Sequence, residues 1–153
     1  MGYLIDKKTA DEHGITNLGD LADPEVAALF DGDGDGMADL MGCDPGWGCE
    51  LIINHHLEAY ELSETVMHVQ GSYSALLADT HARLQREEPV LFFTWTPNWT
   101  VGLMKPGTDV VWIETPFYTA PDDQQADDST GTAEGVVGCV NDPCQLGVAP
   151  AHI

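Results

Sequence analysis

Positive charge is scarce in this chain of 153 residues: 5 Lys plus Arg stand against 26 Asp plus Glu, a formal net charge of −21. Phosphate backbones are held by Lys/Arg clusters that release counterions, and no basic cluster here is larger than Lys7-Lys8, so nucleic acid is excluded as a partner. Anionic membrane surfaces are disfavoured on the same ground. Long apolar runs are also missing. No window approaches the ~18 residues of a membrane span, and the first residues, MGYLIDKKTADEHG, contain no apolar core of a secretion signal. The chain as written is therefore expected to stay where it is made. HExxH, GxSxG and GxxxxGK[ST] are absent as well, so an enzyme is not expected.

What is present is enough for one folded domain, with 43% hydrophobic residues in a length that suits a single core. The four cysteines form two close pairs, Cys43 with Cys49 and Cys139 with Cys144. Both spacings suit small-loop disulfides, which persist in oxidising compartments. One segment is compositionally biased: 121–135 holds five acids and no large apolar residue, and reads as an exposed loop.

The pattern predicts alternating elements. Thr16 is placed to cap a short helical turn through Leu21, and Asp23-Pro24 opens a helix through PEVAALF. A helix is expected from Cys49 to Leu62, with Leu51, Ile52, Leu57, Ala59 and Tyr60 on its apolar spacing. Val66 to Gln70 reads as a strand. A second long helix is expected from Ser72 to about Glu87, burying Leu76, Leu77, Ala78 and Leu84. VLFFTW (90–95) and DVVWIE (109–114) have the continuous apolar composition of strands buried on both faces, with Trp112 in the core. Strands alternating with helices predict an α/β architecture with a mostly parallel sheet, whose ligands gather at carboxyl ends of strands and amino ends of helices.

Two tryptophan motifs fall at such ends. In GCDPGWGCE (42–50), a disulfide between Cys43 and Cys49 would close a tight loop, hold Trp47 outward and leave the N–H groups of Gly48 and Cys49 at a helix N-terminus, where an anion is favoured; the competing reading is a core tryptophan and a structural staple. In FFTWTPNW (92–99), Trp95 and Trp99 flank a proline turn after a buried strand. A third motif is acidic. Asp31, Asp33, Asp35 and Asp39, with the Met37 carbonyl and Gly36 for the sharp turn, match the first part of an EF-hand-type calcium loop, although Gly42 stands where the bidentate Glu belongs. Calcium is thus the one cofactor expectation, set against a solvated acidic turn. Zinc on Cys43, Cys49, His55 and His56 has the wrong ligand spacing.

Taken in order, GYLIDKKTAD, ADLMGCDPGWGCE, INHHLEAYEL, FFTWTPNW, Leu103-Met104-Lys105-Pro106-Gly107 and DVVWIETPF resemble the glycine betaine/proline betaine substrate-binding proteins of ABC importers. The resemblance runs from Gly2 to about Phe117. It implies one lobe of a type II periplasmic-binding-protein fold, with residues 1–153 a single domain equivalent to the second lobe and 136–153 the start of the return crossover. It further implies that Trp47 and Trp95 belong to an aromatic box for a quaternary ammonium, that Gly48 and Cys49 supply amides to the ligand carboxylate, and that Cys43 pairs with Cys49. A cation without hydrogen-bond donors is held by charge and π-faces, as the general physics of choline-like ligands requires. The rest of the box belongs to the first lobe, which this segment does not include, so the resemblance implies weak betaine binding by a half cleft. It implies a periplasmic setting, osmoprotective transport, and an importer permease as partner once the other lobe is supplied. The exposed half cleft also makes a homo-oligomer an expectation, in which the old cleft serves as a protein interface.

Overall fold

The computed structural model describes residues 2–32, 34–42, 44–46, 48–94, 100–116, 132–133, 136, 138–141 and 143–145. Its centre is a five-stranded sheet in the order β3-β2-β4-β1-β5. The strands are β1 (Gly2–Asp6), β2 (Ala38–Met41), β3 (Val66–Val69), β4 (Leu91–Thr94) and β5 (Val110–Ile113). β2 runs parallel to β3 and β4, whereas β1 runs antiparallel to both β4 and β5. All strands but β1 therefore point the same way, as expected of a mostly parallel sheet. The carboxyl ends of β2, β3, β4 and β5 consequently share one edge.

Helices cover the sheet: α1 (Lys7–His13), α2 (Pro24–Ala28), α3 (Gly48–Ala59), α4 (Tyr73–Gln85) and the short α5 (Thr100–Leu103). β1, β2, β4 and β5 are buried at every residue. Strands covered on both faces tolerate only continuous apolar runs, which is why LFF and VVWI read so plainly. The core unites Tyr3, Leu4, Ile5, Leu40, Ile53, Leu77, Phe92, Phe93 and Trp112, each large side chain contributing roughly 1.5–3 kcal/mol by leaving water. Trp112 is a core residue, as read from its strand.

Several local expectations need correction. The cap of the first turn is Asn17, not Thr16: the turn is a 3-10 helix, Leu18–Ala22, and the Asn17 side chain accepts from the Gly19 N–H while Asp20 reaches back. In α4 Ala78 is exposed, and the stripe that faces the sheet is Tyr73, Leu77 and Thr80, with Leu76 and Leu84 at its margins. Tyr73, Leu77 and Thr80 recur at four and three residues, the spacing of one helix face, which Ala78 does not share. In α3 Leu51 is exposed, and the buried face is Ile52, Ile53, His56, Leu57 and Tyr60. The polar His56 belongs to it because its Nδ1 lies 2.7 Å from the Tyr3 hydroxyl and its ring stacks on Tyr60.

β1, α1 and β2 were not among the sequence-based expectations. Asp6 joins the first two: its Oδ2 caps α1 at the Thr9 N–H, and its Oδ1 accepts the Val90 N–H at the start of β4. The second cysteine pair is bridged, Cys139 to Cys144. Around it the returning chain adds to the free edge of β5, with Trp112 N–H donating to Gly138 and Val140 N–H donating to Trp112. The acidic loop 121–135 falls outside the described residues except for Thr132–Ala133, which pair with Cys144–Gln145.

Candidate ligand-binding site

At the shared edge of strand carboxyl ends, three connections lead from strands into helices: 42–47 between β2 and α3, 70–72 between β3 and α4, and 95–99 between β4 and α5. Gly48 is the first residue of α3 and Cys49 the second, so their N–H groups stand at a helix N-terminus on that edge. Cys49 is disulfide-bonded, which removes the thiolate that zinc would need. Trp47, Cys43, Trp95 and Trp99 lie outside the described residues.

The described parts of this edge are fastened by polar side chains that sequence reading did not single out. The Asp44 carboxylate accepts the Tyr73 N–H at 2.9 Å across 29 residues of chain, capping α4, whose own N-cap Ser72 makes no side-chain bond. The Glu50 carboxylate in the first turn of α3 accepts the Gly46 N–H at 2.7 Å. The Tyr73 hydroxyl donates to the Phe93 carbonyl at 3.0 Å and lies 2.9 Å from the Thr94 hydroxyl, fixing the last residues of β4 before Trp95. His68 on β3 lies under Gly42, whose N–H donates to the Val69 carbonyl. The only sequence signals for these roles were Asp-Pro at a turn and Glu at the start of a helix, both of which announce local bonds rather than long-range ones.

The acidic loop sits at the other pole, between α2 and β2. Asp31 accepts the N–H groups of Gly34 and Gly36, Asp35 accepts that of Met37, and Asp39 Oδ2 accepts that of Gly32. Asp33 is outside the described residues. Asp39 is on β2, 6% exposed, and its Oδ1 is buried with no hydrogen-bond partner. Burial raises its pKa above the ordinary carboxylate value, the Gly32 N–H opposes that rise, the charges of Asp35 and Asp31 add to it, and Arg83 counters it. Among the described residues, no group of three or more His, Cys, Asp or Glu is arranged to hold a metal ion. A recess of about 380 Å³ lined by Phe30, Asp31, Gly32, Arg83, Arg86 and Glu88 opens at this pole. Its arginines are ion-paired, Arg83 with Asp79 and Arg86 with Glu88, and it is remote from the strand carboxyl ends.

Comparison with known proteins gives one family. A family model described as the substrate-binding domain of an ABC-type glycine betaine transport system matches residues 1–150. The chain is 58% identical over 126 residues to the glycine betaine/proline betaine-binding periplasmic protein of Escherichia coli, covering 82% of this chain and 38% of that protein. It is 55% identical over 128 residues to the glycine betaine-binding periplasmic protein OusX of Dickeya dadantii, covering 84% of this chain and 39% of that protein. The chain thus spans little more than a third of these relatives, which are binding proteins of transporters rather than enzymes. A crystal structure of the glycine betaine, L-proline-binding protein ProX from Borrelia burgdorferi shares the fold, with a TM-score of 0.57 at 21% identity over 75% of this chain and 37% of that one. By its match over nearly its whole length, this chain belongs to the family of substrate-binding domains of ABC-type glycine betaine transport systems.

Proposed function

We propose that this domain supplies one wall of a cleft for a quaternary-ammonium solute such as glycine betaine or proline betaine. The observation that supports this reading most directly is the start of α3 at Gly48, on the edge where the carboxyl ends of β2 and β4 lie side by side. The N–H groups of Gly48 and Cys49 receive the ligand carboxylate there. Trp47, just before that helix, and Trp95, just after β4, flank the same edge in sequence and offer π-faces to the ammonium. A ligand held from one side keeps contact with water and loses much of a desolvated cation-π gain of about 2 kcal/mol, so the domain alone binds weakly. Full affinity, docking to an importer permease and a periplasmic site of action belong to the longer protein in which a second lobe closes the cleft.

The test is a titration of tryptophan fluorescence with glycine betaine on non-reduced protein, with light scattering in parallel. A saturable change that disappears in Trp47→Ala or Trp95→Ala supports the reading. A flat response to tens of millimolar from a stable oligomer overturns it in favour of a former cleft that has become a protein interface.

A further inference from the structure

The run DGDGDG (31–36) places a glycine after each acid. A glycine nitrogen has no Cβ beside it to hinder approach, and the carboxyl carbon of the preceding Asp is the electrophile nearest to it. Whether the two meet depends on what else holds them. The Gly32 nitrogen, which follows Asp31, donates to Asp39 Oδ2 on β2 at 2.7 Å. Both Asp31 carboxylate oxygens are engaged elsewhere, Oδ1 by the Gly34 N–H at 2.7 Å and Oδ2 by the Gly36 N–H at 2.8 Å. That second bond ties down the nitrogen that follows Asp35, while Asp35 Oδ1 accepts the Met37 N–H at 2.8 Å. In each of these two Asp-Gly steps, nucleophile and electrophile are held by different partners. Gly32, Gly34, Asp35 and Gly36 are exposed, so water reaches the loop and the hydrogen bonds, rather than burial, do the holding.

We propose that Asp31-Gly32 and Asp35-Gly36 are latent isoaspartate modification sites, closed in the native loop by the hydrogen bonds of Asp39 and Asp31 and opened in that order. The modification is independent of the betaine reading, and Asp33, outside the described residues, has no part in it. The reaction needs only water. In an opened loop the Gly32 nitrogen attacks Cγ of the Asp31 carboxylic acid, a C–N bond closes a five-membered imide, and the N–H proton and the carboxyl hydroxyl leave as one water. Water then returns at either imide carbonyl. Addition at Cγ restores Asp31, and addition at the backbone carbonyl carbon routes the chain through Cγ as isoaspartate. Either way the imide has no carboxylate, so Gly36 loses the acceptor that Asp31 provided and the Asp35 step is freed next. The first barrier is release of Gly32 from Asp39, a local opening of the loop away from β2.

The experiment ages the non-reduced protein in mildly acid buffer, native and in guanidinium, and locates isoaspartate by peptide mapping with isomer-resolving mass spectrometry. One charge-assisted bond is strong enough to suppress the open form about tenfold or more, so isoaspartate at 31 and 35 is expected to form at least about tenfold more slowly in the native protein than in the unfolded chain. Native molecules modified at both positions are expected to outnumber the product of the two single frequencies. In Asp31→Ala the rate at Asp35 is expected to rise about tenfold toward the unfolded value. Asp39→Ala is expected to raise the rate at Asp31 in the same way, and Asp39→Asn, which keeps an accepting oxygen for Gly32, to stay close to wild type. Equal rates in native and unfolded wild type overturn the inference, and that comparison needs no variant that might fail to fold. Double modification at the product of the single frequencies overturns the order of opening, and an unchanged rate at Asp35 in folded Asp31→Ala overturns the part given to Asp31.

Discussion

The two poles of the sheet use carboxylates in opposite ways. At the pole of the proposed cleft Asp44 reaches 29 residues along the chain to cap α4, beside a local bond in which Glu50 accepts the Gly46 N–H four residues away. At the acidic pole Asp31 and Asp35 accept N–H groups within five residues of themselves, and Asp39 closes the loop over seven. Long-range bonds tie elements to one another and hold a site still. Local bonds only shape a loop, and they leave Asp39 Oδ1 with no partner. The difference teaches where a long-range bond has been placed: on Asp44 and the start of α4 rather than in the loop richest in charge.

The largest expected effect comes from adding one methyl group at each pole. Gly42→Ala overlaps the His68 ring and is expected to cost about 3 kcal/mol in urea unfolding, the upper range for overpacking. Gly34→Ala meets nothing within 4 Å, but its φ of +84° is a left-handed conformation, so the expected cost is about 1 kcal/mol from the backbone alone. Equal costs at the two positions would break the contrast.

Next comes Asp44→Ala, which removes the remote cap of α4 and is expected to destabilise by about 1–2 kcal/mol. Asp44→Asn keeps an accepting oxygen and should recover most of that loss. Asp31→Ala, removing bonds internal to a surface loop, is expected to cost less than Asp44→Ala in the same denaturant series.

The smallest effect has the opposite sign. Because the Asp39 pKa is raised in the folded protein, its ionisation opposes folding at pH above that folded value, and the penalty disappears as pH falls through it. Asp39→Asn is therefore expected to stabilise the protein at pH 7 by up to about 1 kcal/mol and to flatten the pH dependence of Tm in mild acid. Destabilisation at pH 7 would show that the charge is matched by Arg83 after all. A calcium titration followed by Tm separates a bound ion from that ion pair: stabilisation by millimolar calcium in the wild type that is lost in Asp39→Asn marks a cation site, and no change leaves the loop a solvated turn.

The legible parts of the fold were those whose residues answer to one local rule. β4 and β5 are continuous apolar runs because both faces are covered, and Asp23-Pro24 starts α2 with its cap and its N1 proline in place. β2 was hidden because Asp39 interrupts its apolar pattern and doubles as the end of an acidic motif. β1 was hidden because five residues at the very start show no period before α1 takes over. The apolar face of α3 was misread at Leu51 and at His56, since a histidine becomes a core residue only through its bond to Tyr3, 53 positions away. At the proposed site, the motif GCDPGWGCE runs from the end of β2 into α3, while the bonds made by Asp44, Glu50, His68 and Tyr73 were invisible in the sequence.

What the sequence by itself determined was the chemistry available and its neighbourhood: tryptophans at strand and helix ends, glycines and cysteines around them, acid in large excess and almost no base. Those follow from residue identity and short spacing, which hydrophobic period and turn chemistry report. Only the tertiary structure decided that β1 runs against its neighbours, that Asp44 caps a helix it does not precede, and that His68 lies against Gly42. Each of these is a contact between residues distant in the chain, formed when the sheet orders its strands β3-β2-β4-β1-β5, an order that no local propensity encodes.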